Sequence, residues 1–386
     1  MKTKQKNGIS LIVLVITIIV MIILAAAIIL SLSNSGIIGK ANKAKTDSDT
    51  ANLKEYVNTL RAEWKLMTDS ERTAKANSFE EYANQKLETN GYKVMLSENG
   101  ILMNEAATAA VKSGIKVGDI VTGYTVTEKS YTTSGEENTA PSSTETDPTK
   151  QTVTANTKLT WKYLGVNANG ELEIMADFGT AVAADNTKVK LSGKGGYLKG
   201  PRMLNIICEK LYSVSEVGTA RSMNIEDVNN ILGYTGPKGT YYDIGYNTIT
   251  TAKPLTIGEI ESKLGTTLEN RTTPDGKDIA MYYSDYYEII SKTSTDIKNT
   301  ANTSLVCNTK NSYWLATPCV RATFGYGFAS FDVRGVDSNG VGAYGLCNSD
   351  GRSRGKPYAV RPVVKLDSSV KLVKDATAAN TWNISK

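Results

Sequence analysis

Between Gly8 and Ser33 the chain runs for 24 residues without a charge, as ISLIVLVITIIVMIILAAAIILSL, with Ser10, Thr17 and Ser31 its only polar members. A helix rises about 1.5 Å per residue, so such a run would reach roughly 36 Å, against a bilayer core of about 30 Å. No other segment constrains the chain as strongly: it predicts one transmembrane helix over 9–32. Lys2, Lys4 and Lys6 precede it. The excess of positive charge on that side predicts a cytoplasmic N-terminus, with the rest of the chain outside the cell membrane. The run is longer than an ordinary secretory apolar segment.

The chain contains no histidine. That excludes Ser-His-Asp and Cys-His catalysis, histidine-ligated metals and histidine pH switches. The net charge is +5 and falls to +2 once the three leading lysines are set aside. Charge of that size gives no reason to expect a nucleic-acid partner. The cysteines, Cys208, Cys307, Cys319 and Cys347, form no CxxC pair and show no metal-ligand spacing. Two readings of them stay open: a Cys319–Cys347 disulfide in an exported chain, or small buried thiols. The sequence implies no metal and no cofactor, and no reaction.

Leu53, Tyr56, Val57, Leu60 and Trp64 fall on one helical face. Ser78 and Glu81 have the spacing of a capping box for a helix to Leu87. Ile115 to Val126 reads as strands around a Gly-Asp turn. The Thr/Ser-rich stretch 127–156 reads as a disordered loop. Leu159–Val166 and Glu171–Met175 read as a hairpin around Asn167–Gly170. Helices are expected over Pro201–Tyr212 and, capped by Asn224, over Asn224–Leu232, with a weaker one from Gly258 to Leu264. Tyr282, Tyr283, Tyr286 and Tyr287 recur at helical spacing. In the C-terminal third, Tyr313–Ala316, Ala329–Val333, Val341–Leu346 and Tyr358–Leu366 read as strands, with Pro362 at an edge or bulge. Between Arg321 and Lys365, cations alternate with aromatic residues on a Gly/Ser background, the composition that recognition loops use. The candidate ligand-binding residues are Arg321, Phe324, Tyr326, Phe328, Ser330, Asp332, Asp337, Tyr344, Asp350, Arg352, Arg354, Lys356 and Tyr358. Arg334 and Arg361 lie inside strand motifs and could equally be structural.

The basic leader, Gly8 and the apolar run resemble the type IV pilin (class III) leader family. The resemblance implies cleavage between Gly8 and Ile9 by a prepilin peptidase, methylation of Ile9, and other pilins as partners. Val13 stands where that family usually has Glu, a departure that bears on polymerisation. Segment Tyr313–Leu366 (YWLATPCV…ASFDVRGVDSNGVGAYGL…YAVRPVVKL), with Leu191–Gly200 and Ala220–Asn224, resembles C-type-lectin-like and formylglycine-generating-enzyme-like modules. Some of these are variable proteins of diversity-generating retroelements. The Glu-Pro-Asn, Gln-Pro-Asp and Trp-Asn-Asp signatures of calcium-dependent lectins are absent. The resemblances imply an α+β protein with a long N-terminal membrane and stalk helix, then a mixed α/β module with a small antiparallel sheet and long loops. Its parts would be a leader (1–8), a membrane helix (9–32), a helical stalk (33–105), a short β segment (106–126), the Thr/Ser-rich loop (127–156) and the module (157–386). The implied function is a membrane-anchored, pilin-like bacterial surface adhesin or receptor that binds an extracellular protein or glycan. The alternative is a minor pilin or pseudopilin serving type IV pilus or type II secretion assembly.

Overall fold

The computed structural model describes residues 21, 37–138, 150–178, 182–235, 241–242, 251–252, 262, 297–307, 310–322, 329–338, 340–348 and 354–386. Two units emerge, Met1–Tyr92 and Lys93–Lys386.

The first unit is helical: α1 Ile37–Leu66, α2 Asp69–Lys75 and α3 Phe79–Thr89. The apolar face of α1 packs on α3. Val57 and Leu60 are buried with Tyr82, Ala83 and Leu87. The Trp64 ring lies 5.2 Å from that of Tyr82 and 6.5 Å from that of Phe79. Thr68 and Glu71 form a reciprocal capping box on α2, and the Ser78 hydroxyl accepts from the Glu81 N–H on α3. Those caps satisfy helix N–H groups that would otherwise lack partners.

The expectation of a long N-terminal membrane helix, and with it a single-pass location, is corrected here. Among the described residues no helix is long and apolar enough to cross a membrane. The long helix α1 carries Lys54, Glu55, Arg61 and Glu63 through its length, charges that are costly in a bilayer core. The leader residues Gly8 and Ile9 lie outside the described residues, as does the apolar run 9–32 apart from Met21.

The second unit is α+β. Its strands are β1 Met95–Leu96, β2 Leu102–Met103, β3 Ile120–Thr122, β4 Ser130–Thr132, β5 Thr152–Thr154, β6 Thr160–Val166, β7 Leu172–Asp177, β8 Lys188–Ser192, β9 Gly218–Ser222, β10 Tyr241–Tyr242, β11 Thr251–Ala252, β12 Tyr313–Ala322, β13 Ala329–Asp337, β14 Gly340–Asn348, β15 Gly355–Val360, β16 Pro362–Leu366, β17 Lys371–Lys374 and β18 Thr381–Ser385. Its helices are α4 Glu105–Lys112, α5 Gly193–Tyr212, α6 Ile225–Leu232 and α7 Thr303–Val306. Seven strands form one mixed sheet in the order β17-β18-β3-β6-β7-β16-β9, and five form another in the order β14-β13-β12-β15-β8. Only β3–β18 and β12–β15 pair in parallel within these two sheets.

One strand path joins the sheets. β15 ends at Val360 in the five-stranded sheet, and β16 begins at Pro362 in the other. Pro362 therefore occupies the first position of a strand, where its missing N–H costs least. Arg361, at the crossing, is buried. Its Nε donates to Ala176 O (2.9 Å) and its Nη1 to the Tyr313 hydroxyl (2.9 Å). Its guanidinium lies 5.0 Å from the Tyr313 ring. Alternation along β15 and β16 sends Val360 and Val364 into the core around α5, and Ala359 and Val363 into the core around α6.

Helix α5 begins eight residues before the expected start. Its N-terminal glycines bring the backbone close to the five-stranded sheet: a Cβ at Gly196 would sit 2.9 Å from Leu346 Cδ1. The hairpin predicted over 159–175 is β6–β7. Within the Thr/Ser-rich stretch, β4 pairs with β5, and Glu137 and Asn138 are buried against β8. Residues 139–149, most of the expected helix from Gly258 to Leu264, and the four tyrosines from Tyr282 to Tyr287 lie outside the described residues.

Candidate functional site

Strand β14, GVGAYGLCN, carries one large polar side chain, Tyr344. Its neighbours across the ladder decide where the ring goes. Gly335 and Gly342 face each other beside it on β13 and β14. A Cβ at Gly335 would meet Tyr344 Cε2 at 2.8 Å, so the ring crosses β13 only because residue 335 is glycine. The ring then reaches Trp314 on β12 (5.9 Å, edge-on) and Tyr358 on β15 (4.9 Å, edge-on). Trp314 and Tyr358 lie 4.8 Å apart. Each such pair contributes roughly 0.5–1.5 kcal/mol beyond its burial.

Trp314 is fully buried and donates through Nε1 to Val189 O at 2.8 Å, which fixes the floor of the cluster. The Tyr344 hydroxyl donates to Asp337 Oδ2 at 2.7 Å. Burial, and then this bond to a carboxylate, raise the Tyr344 pKa above its ordinary value, so the phenol stays neutral. Lys356 leaves the same face of β15 as Tyr358. Its ammonium lies 5.0 Å from the Tyr344 ring centre and 5.9 Å from that of Tyr358. Tyr344 and Tyr358 are half-buried, and Lys356 and Arg354 are exposed. The result is a rigid aromatic patch with the Lys356 ammonium over it, able to offer stacking surface, hydrogen bonds and positive charge to a ligand.

The structure brings together Asp337, Tyr344, Lys356 and Tyr358, with Arg354 in the segment that leads into β15. Two other candidates are corrected. Ser330 and Asp332 are buried, and the Ser330 hydroxyl donates to Asp332 Oδ1, so neither belongs to an accessible surface. Arg321 pairs through its backbone with Ser330 on β13. Phe324, Tyr326, Phe328, Asp350 and Arg352 lie outside the described residues.

The Cys319–Cys347 bridge is not formed, and none of the four cysteines is in a disulfide. Cys319 stands opposite Asp332, and Cys347 opposite Phe331. Asp332 and Phe331 are sequence neighbours on β13, and successive residues of a strand point to opposite faces. The two thiols are therefore presented to different sides of the sheet. Burial, with Asp332 nearby, pushes the Cys347 thiol up to about 12.

Sequence reasoning missed two organising features. Trp314 and Gly335 were visible only as parts of strand motifs, because their role depends on a cross-strand register. The second is a charged network. Arg221 on β9 bonds Asp227 on α6 (2.7 Å) and Glu173 on β7 (3.0 Å). Burial raises the Glu173 pKa, and Arg221 opposes that rise. Asp227 also accepts from the Asn224 N–H, so the network fixes the start of α6 against both strands. Removing one partner of such a buried set typically costs about 3–5 kcal/mol. Among the described residues no group of three or more cysteine or acidic side chains is placed to hold a metal ion. The chain matches no protein-family model, no curated protein and no solved structure.

Proposed function

We propose that this protein is a ligand-recognition protein that works by binding and not by catalysis, as its resemblance to C-type-lectin-like modules implies. The observation that carries the reading is the patch of Tyr344, Tyr358 and Lys356 on buried Trp314. Its aromatic residues are held by core packing, so binding would immobilise few side chains, a condition that favours recognition. Lys356 over the rings, with exposed Arg354 two residues before it in the chain, favours a ligand that carries acidic groups, on a glycan or on a protein. The rings offer apolar faces to either.

The test screens the full-length chain against an array of neutral and acidic glycans and a displayed peptide library. Each hit is then measured against Tyr358→Ala and Lys356→Ala. Loss of one aromatic anchor is expected to weaken a true ligand by roughly 2 kcal/mol, about thirtyfold. Lys356→Ala should weaken acidic ligands more than neutral ones. Hits indifferent to both substitutions, in variants with unchanged melting temperature, would refute the assignment.

A further inference from the structure

The hydroxyls of the aromatic patch are ordered in one direction. The Tyr344 phenol donates its only proton to Asp337 Oδ2. A carboxylate accepts and does not donate, so this bond has a fixed sense. Towards every other neighbour the Tyr344 oxygen is therefore an acceptor. The Tyr358 phenol is its hydrogen-bond partner there. Tyr358 thus commits its own proton inward, and its oxygen offers a ligand lone pairs alone.

Lys356 supplies the opposite polarity. Its ammonium forms no ion pair and no hydrogen bond among the described residues; its contacts are the two tyrosine rings, 5.0 and 5.9 Å from their centres. An ammonium donates and cannot accept. A ligand seated on the patch therefore meets one acceptor, one cation and the faces of two half-buried rings. Gly335 and Gly342, beside Tyr344 on the same face of the sheet, add no second anchor.

We propose that this patch selects a carboxylated sugar, a uronic or sialic acid, with its carboxylate on Lys356, a hydroxyl donating to Tyr358 Oη and an apolar C–H face on the tyrosine rings. The inference rests on the reading of the patch as the ligand site. Chemistry selects this class among acidic ligands. Sulfate esters carry charge without a donor. Ionised aspartyl and glutamyl side chains also only accept. A peptide would have to bring its donor from elsewhere in its chain. A protein partner would also need roughly 800 Å² of contact on each side, and two rings bordered by glycine make a single anchor point. A sugar acid joins anion, donor and apolar face in one ring.

The test measures methyl glucuronide, methyl sialoside and neutral methyl glucoside on the full-length chain by ligand-observed NMR. Each acid is also tested with single hydroxyls replaced by fluorine, which does not donate. At least one acid is expected to bind about tenfold tighter than the glucoside, and Lys356→Met should remove that preference. Fluorine at the hydroxyl facing Tyr358 should weaken the acid about three- to tenfold, the contribution of one hydrogen bond. Tyr344→Phe should shrink that loss, because the Tyr358 proton is then free to turn outward. A merely structural role for Tyr344 would leave it unchanged. Melting temperatures confirm that the variants fold. Acids that bind no tighter than the glucoside, or fluorinated forms that bind as tightly as the parent at every position, would overturn the inference. An acidic peptide that binds through Tyr358 while the sugars do not would also overturn it, and would leave the patch standing as a ligand site. Sugar binding indifferent to Tyr358→Ala would overturn both.

Discussion

Replacing Gly335 with alanine tests whether the aromatic patch depends on a missing side chain. The new Cβ would lie 2.8 and 3.0 Å from two ring carbons of Tyr344 and 3.0 Å from Tyr313 O. The ring has little room to yield, because Trp314 and Tyr358 flank it and its hydroxyl is bonded to Asp337. Overpacking of this kind costs about 1–3 kcal/mol. Gly335 does not have a left-handed backbone, so alanine there returns about 0.4–1 kcal/mol by restricting the unfolded chain. The net expectation is a loss of about 1–2 kcal/mol, read by urea titration with near-UV circular dichroism on the aromatic cluster. The decisive comparison is the same change in a Tyr344→Ala background. Most of the clash is then gone, and Gly335→Ala should move stability by less than about 0.5 kcal/mol. The coupling between the two positions should therefore be at least about 1 kcal/mol. Additivity within roughly 0.3–0.5 kcal/mol, the scatter of independent sites, would refute the argument that Gly335 places the ring.

Thiol titration tests the cysteine assignment. In denaturant, four thiols should react, whereas a Cys319–Cys347 bridge would leave two. In the native protein at pH 8, half-buried Cys307 should react first. A Cys347 thiol held at about 12 is thiolate in only about one molecule in ten thousand at that pH. The helix caps of the first unit predict an acid transition. Backbone bonds from Thr68 and Asn77 hold the carboxyls of Glu71 and Glu81 below their ordinary value. A carboxyl depressed in the folded state stabilises it above the unfolded value of about 4.3, and that contribution is lost as pH falls through the folded value. The amide signals of Thr68 and Asn77, followed by NMR, should titrate with midpoints below about 4.3. A midpoint at or above that value would show that the carboxylates are not the caps.

The parts of the fold that could be read from sequence are those fixed by local geometry. The Asn224 cap of α6 and the β6–β7 hairpin each follow from residues within a few positions of one another. So does the apolar face of α1, although its partner α3 had to be found in space. What escaped depends on pairs far apart in the chain. Helix α5 begins at Gly193 because glycine lets the backbone approach Leu346, a packing reason that overrides poor helix propensity. Asp332 and Ser330 read as surface because a polar residue in an alternating strand usually faces water. Here apolar cores lie on both faces of the five-stranded sheet, one with α5 and one with α6, and Ser330 and Asp332 are buried between them. Alternation in β13 therefore separates two cores and does not separate core from solvent. The same logic explains the site: Tyr344 and Tyr358 are fourteen residues apart in the chain, and what joins them is the crossing of β13 at Gly335. A pattern of tyrosines and cations could suggest a binding surface, but which of them meet was decided by the order of strands in the sheet.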